Sequence, residues 1–543
     1  MNKQVIIFGA GISGLTVAHE MIKKNFDVII IEKDTNVGGM AKTRWEDSGV
    51  PSEHSWRGFG QFYSNTFRIM KEIPYKKDKT TYDNLTKKVD FYILKDTEYK
   101  YKRDFTFSDK IVLFNDGMSY LLSDKRRKDF YNIKAVDYYK DKLSPDGYEF
   151  LIEFVLGPGY GMEKKDASVG HLIHFNILTL SRPSKYNHEH ELDGQIYFNK
   201  GQDNWHLLNQ PTNDGWLNPW RDYLIQQGVK FMFNEELIEL TKNDDEIIYA
   251  TVKNTINNNI TQIKGTDYVL AITPHNSENI LKNIDYEVYN NIKMLNEHTT
   301  SNQISFRIGL DKKIEYPTNY IGIVLSDSEY NITFYPQEKH FKNYEKMNIP
   351  YKTLWSGTLM DSISPGSLYN KPSISLTKEQ LSNEIINQII KSESLQKMIQ
   401  EINGFTLSFD DIKYIEIWYE WKYDNNEEVL KQDYKKFVNN IYNEQYRPDT
   451  LTNIKNLYIT GAHIKTSILI YSMEGAVESG LITSNEILKK YELPKSEITI
   501  HNNPILLSFF QQIDNILYNL RLPNIMYIII FSLVFYLLYV YVV

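Results

Sequence analysis

The sequence predicts an α/β protein with three parts: a Rossmann-type domain, an α+β domain and a C-terminal transmembrane helix. Two observations near the N-terminus and one at the C-terminus lead to this prediction. The apolar run Val5–Phe8 is typical of a buried strand and leads directly into Gly9, Gly11 and Gly14. A helical segment and a second apolar strand follow these glycines. At the other end of the chain, residues 525–543 contain no charged side chain.

Composition excludes several classes of protein. The 543 residues include 42% hydrophobic and 14% aromatic side chains, which excludes a disordered or collagen-like chain. The 61 basic and 69 acidic residues give a net charge of -8, so the sequence has no electrostatic footprint for a nucleic-acid partner. The absence of cysteine excludes disulfides, thiolate metal sites and a cofactor linked through cysteine sulfur.

The spacing of the first glycines, G-x-G-x-x-G, is typical of a dinucleotide site. Gly9 permits a tight turn, Gly11 lets the backbone approach a pyrophosphate, and Gly14 lets the helix pack closely on the strand. The start of that helix offers N–H groups and the positive end of its dipole to the phosphates. Glu32 ends the second strand, where its carboxylate can accept the ribose hydroxyls. This order predicts a dinucleotide site and leaves NAD and FAD both open.

A second glycine-containing segment distinguishes the two cofactors. Residues 37–43, Val-Gly-Gly-Met-Ala-Lys-Thr, resemble the second glycine motif of the flavin-containing amine oxidase and phytoene desaturase superfamily. Gly38 and Gly39 would let the chain lie flat against the pyrophosphate and the ribityl chain. Lys42 stands where the family usually has arginine. The resemblance implies that the cofactor is FAD.

Further segments resemble the same superfamily, and most closely its hydroxysqualene dehydroxylase-like branch. They are residues 53–74, 211–229 and 267–274. The resemblance also implies that the backbone of Ile238 meets the adenine and that His54 lies near the flavin. His54 is therefore the candidate catalytic or substrate-orienting residue, and a purely structural role is the alternative.

The C-terminal segment carries the most specific part of the resemblance. A strand reaches Gly461, and a helix begins at Met473-Glu474-Gly475-Ala476. The resemblance places these residues at the flavin and makes all five of them candidate cofactor-binding residues. Small side chains let the helix approach the flavin closely, and its positive dipole end would stabilise the anion formed when the flavin is reduced.

Two positions depart from the family pattern. Ala462 stands where an acidic residue usually holds a ribityl hydroxyl. Gln303 aligns with the lysine that amine oxidases commonly place near flavin N5, which argues against amine-oxidase chemistry.

The resemblance implies an FAD-dependent oxidoreductase whose FAD is bound non-covalently. A hydride would pass from a substrate C–H bond to flavin N5, while the protein orients the substrate. The desaturase-like spacing and the apolar C-terminus favour a small-molecule substrate that is apolar, isoprenoid- or lipid-like. Two alternatives are open: an amine oxidase that produces aldehyde, ammonia and peroxide, and a catalytically silent, membrane-anchored protein with a flavin fold.

The predicted FAD-binding domain is discontinuous and combines residues 1–75, 211–285 and 450–490. The segments 76–210 and 286–449 are predicted to form the α+β substrate domain. Residues 491–523 are a linker and a membrane-proximal helix, which either lies on a membrane or docks on the globular domain.

Residues 524–543 are the predicted transmembrane tail anchor. The 19 uncharged residues of 525–543 would reach ~28 Å as a helix, about the thickness of a hydrocarbon core. Basic residues on its N-terminal side predict that the main domain faces the cytosol. No metal site is predicted, because the His188–Glu191 run (His-Glu-His-Glu) is interpreted as a solvated loop. The sequence does not predict an oligomeric state.

Overall fold

The structure is a computed structural model that describes residues 3–55, 57–86, 90–94, 105–159, 161–180, 205–298, 303–317, 320–432, 437–501 and 505–542. The strands in these ranges are β1 (Gln4–Phe8), β2 (Asp27–Glu32), β3 (Thr43–Trp45), β4 (Pro51–Glu53), β5 (Gly58–Phe59), β6 (Pro74–Lys76), β7 (Lys79–Thr80), β8 (Asp90–Leu94), β9 (His206–Leu207), β10 (Lys230–Phe233), β11 (Glu235–Asn243), β12 (Glu246–Asn254), β13 (Ile260–Ile263), β14 (Asp267–Leu270), β15 (Ser305–Leu310), β16 (Tyr320–Leu325), β17 (Ile332–Pro336), β18 (Thr353–Leu359), β19 (Ile412–Ile417), β20 (Trp421–Asp424), β21 (Val429–Gln432) and β22 (Leu457–Ile459).

The α-helices in the same ranges are α1 (Ile12–Ile22), α2 (Ser64–Glu72), α3 (Phe107–Leu122), α4 (Asp124–Phe130), α5 (Ala135–Tyr139), α6 (Pro145–Glu149), α7 (Val169–Leu180), α8 (Asn218–Gln226), α9 (Pro274–Leu281), α10 (Tyr286–Glu297), α11 (Gln337–His340), α12 (Lys378–Lys391), α13 (Glu393–Asn403), α14 (Met473–Lys490), α15 (Ile505–Asn519) and α16 (Ile525–Val542).

A five-stranded parallel sheet forms the base of the molecule, in the order β10-β2-β1-β14-β22. Val5 to Phe8 of β1 are all buried, because helices and further chain cover both faces of the sheet. The strands come from residues 4–32, 230–270 and 457–459, which fall in the three segments of the predicted FAD-binding domain. The α/β part of the fold prediction agrees with this sheet, and the division into domains stays a prediction.

Helix α14 packs on α1 at very short range, and a glycine makes this possible. A Cβ atom at Gly480 would lie 2.7 Å from Thr16 Cβ and 2.8 Å from the carbonyl oxygen of Ser13. Any larger side chain at Gly480 would therefore push the two helices apart. The contact joins the first helix of the chain to the helix that follows the last strand of the parallel sheet.

A six-stranded sheet, in the order β19-β15-β18-β17-β16-β8, lies in the segments predicted for the substrate domain. Its strands pair in antiparallel fashion, except for the parallel pair of β8 and β16. All six residues of β15 are buried. Strands β17 and β18 contribute side chains to the cavity described below.

The predicted transmembrane tail anchor is wrong. The segment forms helix α16, Ile525–Val542. In the described ranges, no helix is both long enough and apolar enough to cross a membrane. The predicted membrane location, with the main domain facing the cytosol, and the predicted membrane partner therefore lose their basis.

Helix α15, predicted to be membrane-proximal, docks on the globular part of the chain. The buried carboxylate of Asp514 accepts a hydrogen bond from Arg126 Nε at 2.8 Å and another from the backbone N–H of Ile525 at 2.6 Å. Tyr518 donates a hydrogen bond to Asp129 at 2.7 Å. Of the two interpretations open for this segment, the structure has the docked helix.

Candidate functional site

A cavity of about 640 Å³ opens between the two large sheets. On one side it is lined by residues at or just after the carboxyl ends of β1, β2, β14 and β22, which are Gly9, Glu32, Ala271 and Gly461. Ligands of open parallel sheets bind at this edge. On the other side it is lined by side chains of β17 and β18 in the six-stranded sheet. Its volume lies in the range of cofactor and small-molecule sites.

The N-terminus of α1 faces the cavity, and its first N–H groups carry no side-chain cap. Gly11 is the N-cap residue, and within the described residues no side chain caps the helix. A Cβ atom on Gly11 would meet no described atom within 4 Å, whereas one on Gly14 would lie 2.1 Å from the carbonyl oxygen of Gly9. Gly11 therefore borders open space and Gly14 lies in the packing behind it. The uncapped N–H groups fit a pyrophosphate.

Glu32 lies at the next position along the wall of the cavity. Its Oε2 accepts a hydrogen bond from the backbone N–H of Ala10 at 2.6 Å, and Oε1 accepts one from the N–H of Asp34 at 2.9 Å. Burial raises the pKa of Glu32 above its ordinary value, against the opposing effect of these two donors. Since each carboxylate oxygen can accept a second hydrogen bond, the arrangement fits a pair of ribose hydroxyls.

The second glycine segment lies against the first. Gly38 and Gly39 both have positive φ angles, 130° and 53°, which side chains disfavour. A Cβ atom on Gly39 would lie 3.3 Å from the Cα atom of Gly11, so the two glycine segments touch. All three glycines line the cavity. Together they form a wall of bare backbone.

Lys42 lines the same part of the cavity and is held between two carboxylates. Its Nζ lies 2.8 Å from Oδ2 of Asp34 and 3.5 Å from Oε1 of Glu420. Burial lowers the pKa of Lys42, but the charges and hydrogen bonds of Asp34 and Tyr419 together outweigh burial, so the pKa is raised. Lys42 is thus a fixed cation whose charge is compensated from within the protein.

Ile238 lies at an irregularity of β11 on the cavity wall. Leu237 pairs with Val252 and Glu239 pairs with Thr251, so Ile238 has no cross-strand partner in the described sheet. Its side chain is 40% exposed. The irregularity leaves its backbone groups available to a ligand.

The C-terminal motif contributes three of its five predicted residues to the cavity wall: Gly461, Met473 and Ala476. Helix α14 begins here, and the hydroxyl of its N-cap residue, Ser472, accepts a hydrogen bond from the backbone N–H of Gly475 at 3.1 Å. The helix therefore directs its N-terminus towards the cavity.

Glu474 and Gly475 lie behind this wall. The carboxylate of Glu474 accepts hydrogen bonds from the backbone N–H groups of Asn65 and Thr66, at 2.9 Å each, and so caps the start of α2. A Cβ atom on Gly475 would lie 2.8 Å from the carbonyl oxygen of Ile470. Their contacts join α14 to its neighbours, and any contact of these two residues with a cofactor stays a prediction.

Glu478, one turn further along α14, makes the stability of the fold depend on pH. Its carboxylate is buried and accepts hydrogen bonds from the N–H groups of Ser467 at 2.7 Å and Ile468 at 3.2 Å. Burial raises its pKa from an ordinary 4.5 to about 7. Between these values the folded state holds a proton that the unfolded state has lost. The contribution to stability is therefore complete below pH ~4.5 and is lost as the pH rises through ~7.

We expect the melting temperature of the wild type to fall, relative to that of Glu478→Gln, between pH 4.5 and 7. The glutamine variant lacks the titrating group, so its melting temperature at each pH is the control for the titration of all other groups. A difference between the two melting temperatures that is constant over this range would contradict the prediction.

His54 and Gln303 also line the cavity, and both are buried. The ring of His54 meets that of Trp418 edge to face at 6.4 Å, and its Nε2 lies 3.5 Å from Nε2 of Gln432. Gln303 Nε2 lies 3.4 Å from the sulfur of Met360. The lining also contains a set of aromatic and sulfur-containing side chains, called the aromatic end below: Phe62, Tyr63, Met162, Phe175, Trp205, Tyr335 and Met360.

Three residues at the cavity or directly behind its wall were missed by sequence reasoning: Arg57, Arg447 and His463. Arg57 lines the cavity, and its guanidinium donates to the carbonyl of Met40 at 3.1 Å. His463 also lines the cavity. The motif of residues 461–476 could have drawn attention to His463, whereas no local pattern marks Arg447.

Two family models match the chain, each over one of the glycine-containing regions. Residues 7–73 match the NAD(P)-binding Rossmann-like domain, and residues 425–488 match the flavin-containing amine oxidoreductases. The predicted resemblance to the flavin-containing amine oxidases is confirmed. The chain is an FAD-dependent oxidoreductase, and the cavity-lining residues Gly9, Gly11, Gly38, Gly39 and Gly461 lie within the two matched regions.

Solved structures with the same fold include oxidases of this amine oxidase-like kind. Putrescine oxidase bound to putrescine has a TM-score of 0.60 at 12% identity, over 90% of this chain and 99% of its own. Cyclohexylamine oxidase from Brevibacterium oxydans IH-35A has a TM-score of 0.56 at 11% identity, over 91% and 100%. An oxidoreductase from Methanosarcina mazei has 0.54 at 12%, over 90% and 100%. No curated protein sequence matches the chain.

The sequence predicts no metal site, because the His188–Glu191 run is interpreted as a solvated loop. That run lies outside the described residues. Within the described ranges, no group of three or more potential metal-ligating side chains comes together.

Proposed function

We propose that the chain holds FAD along the wall of the cavity and oxidises a small, apolar substrate at its aromatic end. One observation carries the proposal: a wall of bare backbone at the carboxyl edge of the parallel sheet continues without a break into a pocket of aromatic side chains. Bound FAD would accept a hydride from a substrate C–H bond. The protein supplies binding, orientation and exclusion of water.

The residues that line the wall divide between the two halves of the dinucleotide. Glu32 and Ile238 would bind the adenosine half, and the start of α1 at Gly11 the pyrophosphate. Gly461 and the first turn of α14 would bind the flavin half, where the helix N-terminus stabilises negative charge. Because the sequence lacks cysteine, a thioether link to the flavin is excluded. We propose that the FAD is bound non-covalently.

The aromatic end of the cavity supports an apolar substrate. Its lining removes apolar surface from water, which favours a hydrocarbon-like group by roughly 25 cal/mol per Å². His54 would orient the substrate, since it is buried in the wall beside Trp418. Gln303 adds an uncharged amide and no proton-accepting base.

Oxidation of an amine is a second candidate function, and one observation favours it. Glu420 lines the cavity and is 2% exposed, and its Oε2 has no hydrogen-bond partner among the described residues. A buried carboxylate of this kind suits a substrate ammonium group. Two of the structures with the same fold are oxidases named for putrescine and cyclohexylamine.

A visible spectrum of the purified chain, followed by anaerobic reduction, tests the proposal. We expect a flavin band, with all colour released by acid precipitation, and bleaching by prenyl alcohols or related apolar lipids. The absence of any flavin band, with no recovery after added FAD, would contradict the proposal. Bleaching by alkylamines alone would favour the second candidate, and colour retained in the acid pellet would show a covalent link.

A further inference from the structure

His463 is held at the flavin end of the cavity by the glycine two positions before it. Its side chain is 4% exposed and lines the cavity. Gly461 has a φ angle of 144°, and a Cβ atom there would lie 2.6 Å from Nδ1 of His463. The imidazole therefore lies directly over the backbone of Gly461, in space that any other residue at 461 would fill.

Arg447 fixes the backbone on both sides of this histidine. Its buried guanidinium donates from Nη1 to the carbonyl of Ala462 at 3.0 Å and to that of Ile464 at 3.0 Å. Phe437 packs against the imidazole, with the ring centres 6.3 Å apart. The position of the imidazole is thus set from three directions before any ligand binds.

The imidazole nevertheless lacks a hydrogen-bond partner in the described protein. Neither Nδ1 nor Nε2 of His463 has one, although the ring is almost completely buried. The two nitrogens are not among the fully enclosed polar atoms that lack a partner, so they are open to the cavity. A polar group bound in the cavity can therefore replace water there and hydrogen-bond the imidazole.

The protonation state of His463 limits the kinds of group that can be its hydrogen-bond partner. Burial, followed by the positive charge of Arg447, lowers the pKa of His463 to about 3. The imidazole is therefore neutral at physiological pH and offers one N–H donor and one nitrogen acceptor. A hydroxyl group, which both donates and accepts, matches this pair, whereas a phosphate oxygen only accepts.

We propose that His463 is a cofactor-binding residue that hydrogen-bonds a ribityl hydroxyl of FAD. The inference rests on the proposed function, because it requires FAD in the cavity. Gly461, Met473 and Ala476 surround the same region and are the residues proposed to hold the flavin half. Ala462, which occupies the position where an acid was expected, has no polar side-chain atom, and His463 supplies the hydrogen bond from the next position.

Two variants of nearly matched size test the proposal by FAD titration of the flavin-free chain. His463→Phe keeps a ring and removes both nitrogens, and we expect its Kd for FAD to rise about 5- to 100-fold. His463→Gln keeps a donor and an acceptor, and its Kd should stay within about fivefold of the wild type. Equal Kd values for the wild type and His463→Phe would overturn the proposal.

An FAD analogue with a deoxygenated ribityl chain identifies the hydroxyl as the partner. The wild type should bind the analogue at least about fivefold more weakly than FAD, and His463→Phe should bind both about equally. If His463→Phe discriminates as strongly as the wild type, or if the wild type does not discriminate at all, the inference fails. Circular dichroism checks that each variant is folded, and should His463→Phe not fold, His463→Leu, which also lacks both ring nitrogens, takes its place in both titrations.

The FAD titration distinguishes a failure of the proposed function from a failure of the role of His463. A wild-type chain that binds no FAD contradicts the proposed function itself. A wild type that binds FAD, with a phenylalanine variant of equal affinity, contradicts only the role of His463.

Discussion

Replacing Gly11 with aspartate should abolish FAD binding and leave the fold intact. Gly11 has a φ angle of -73° and a ψ angle of 176°, which any residue can adopt, and a side chain there enters open space. It is also the uncapped N-cap residue of α1, where aspartate is favoured over glycine by about a few tenths of a kcal/mol. Stability should therefore be unchanged or slightly raised.

The same carboxylate would stand where the pyrophosphate is proposed to bind. It would occupy the N–H groups at the start of α1 and repel the phosphates at short range. We expect the Kd for FAD to rise at least about 100-fold, which corresponds to ~2.8 kcal/mol. Titration with FAD, beside thermal denaturation of the flavin-free chain, measures both effects.

Gly14→Ala is the matched control, because it changes a glycine of the same motif that lies behind the wall. Its methyl group would lie 2.1 Å from the carbonyl oxygen of Gly9, so the turn itself has to shift. This variant should lose stability as well as FAD. A Gly11→Asp chain that binds FAD like the wild type would show that the cofactor lies elsewhere.

Replacing Arg447 with methionine should destabilise the fold by about 3–5 kcal/mol. The guanidinium is buried and donates to the carbonyls of Ala462, Ile464 and Leu469, at 3.0 Å each. Its Nε lies 2.9 Å from Oε2 of Glu444. Methionine fills part of the space but leaves the carbonyls of Ala462 and Ile464 without this donor and removes the cation beside Glu444.

An exposed pair in the same region provides the comparison. Lys465 Nζ lies 2.9 Å from Asp449, and both side chains are exposed. Lys465→Met removes this pair and should cost about 1 kcal/mol or less. Urea denaturation of both variants, read by circular dichroism, gives the two free energies of unfolding. A loss below about 1 kcal/mol for Arg447→Met would contradict the role assigned to the buried guanidinium.

Sequence reasoning found the start of the site because its signals are local. Strand β1, the glycines and α1 follow one another within 22 residues, and each has a short-range physical reason to form. The same applies to the glycine wall at Gly38 and Gly39, whose positive φ angles only glycine adopts readily.

Long-range contacts explain what sequence reasoning missed. Arg447 finds its partners up to 22 residues away along an irregular segment, where no periodicity marks a shared face. Glu474 lies in the motif that is predicted to contact the flavin, but its side chain points to Asn65 and Thr66, more than 400 residues earlier. A motif gives the position of the backbone, and the direction of a side chain depends on what packs against it.

The error at the C-terminus has a different cause. The uncharged run of residues 525–543 was interpreted from composition and length alone, and its length lies close to the limit for a membrane span. In the described ranges, no helix is both long enough and apolar enough to cross a membrane, so composition and length in the sequence did not suffice for this prediction.

The contact of Gly480 with Ser13 and Thr16 has a consequence for the order in which the molecule matures. The wall that is proposed to bind FAD includes residues from near both ends of the chain, separated by more than 450 positions. During synthesis, the amino-terminal half of the wall has to wait for α14 before the wall is complete. Loading with FAD is then a late event that shifts the equilibrium towards the folded chain. Yellow colour in a preparation would report the fraction of molecules in which the two distant segments have met.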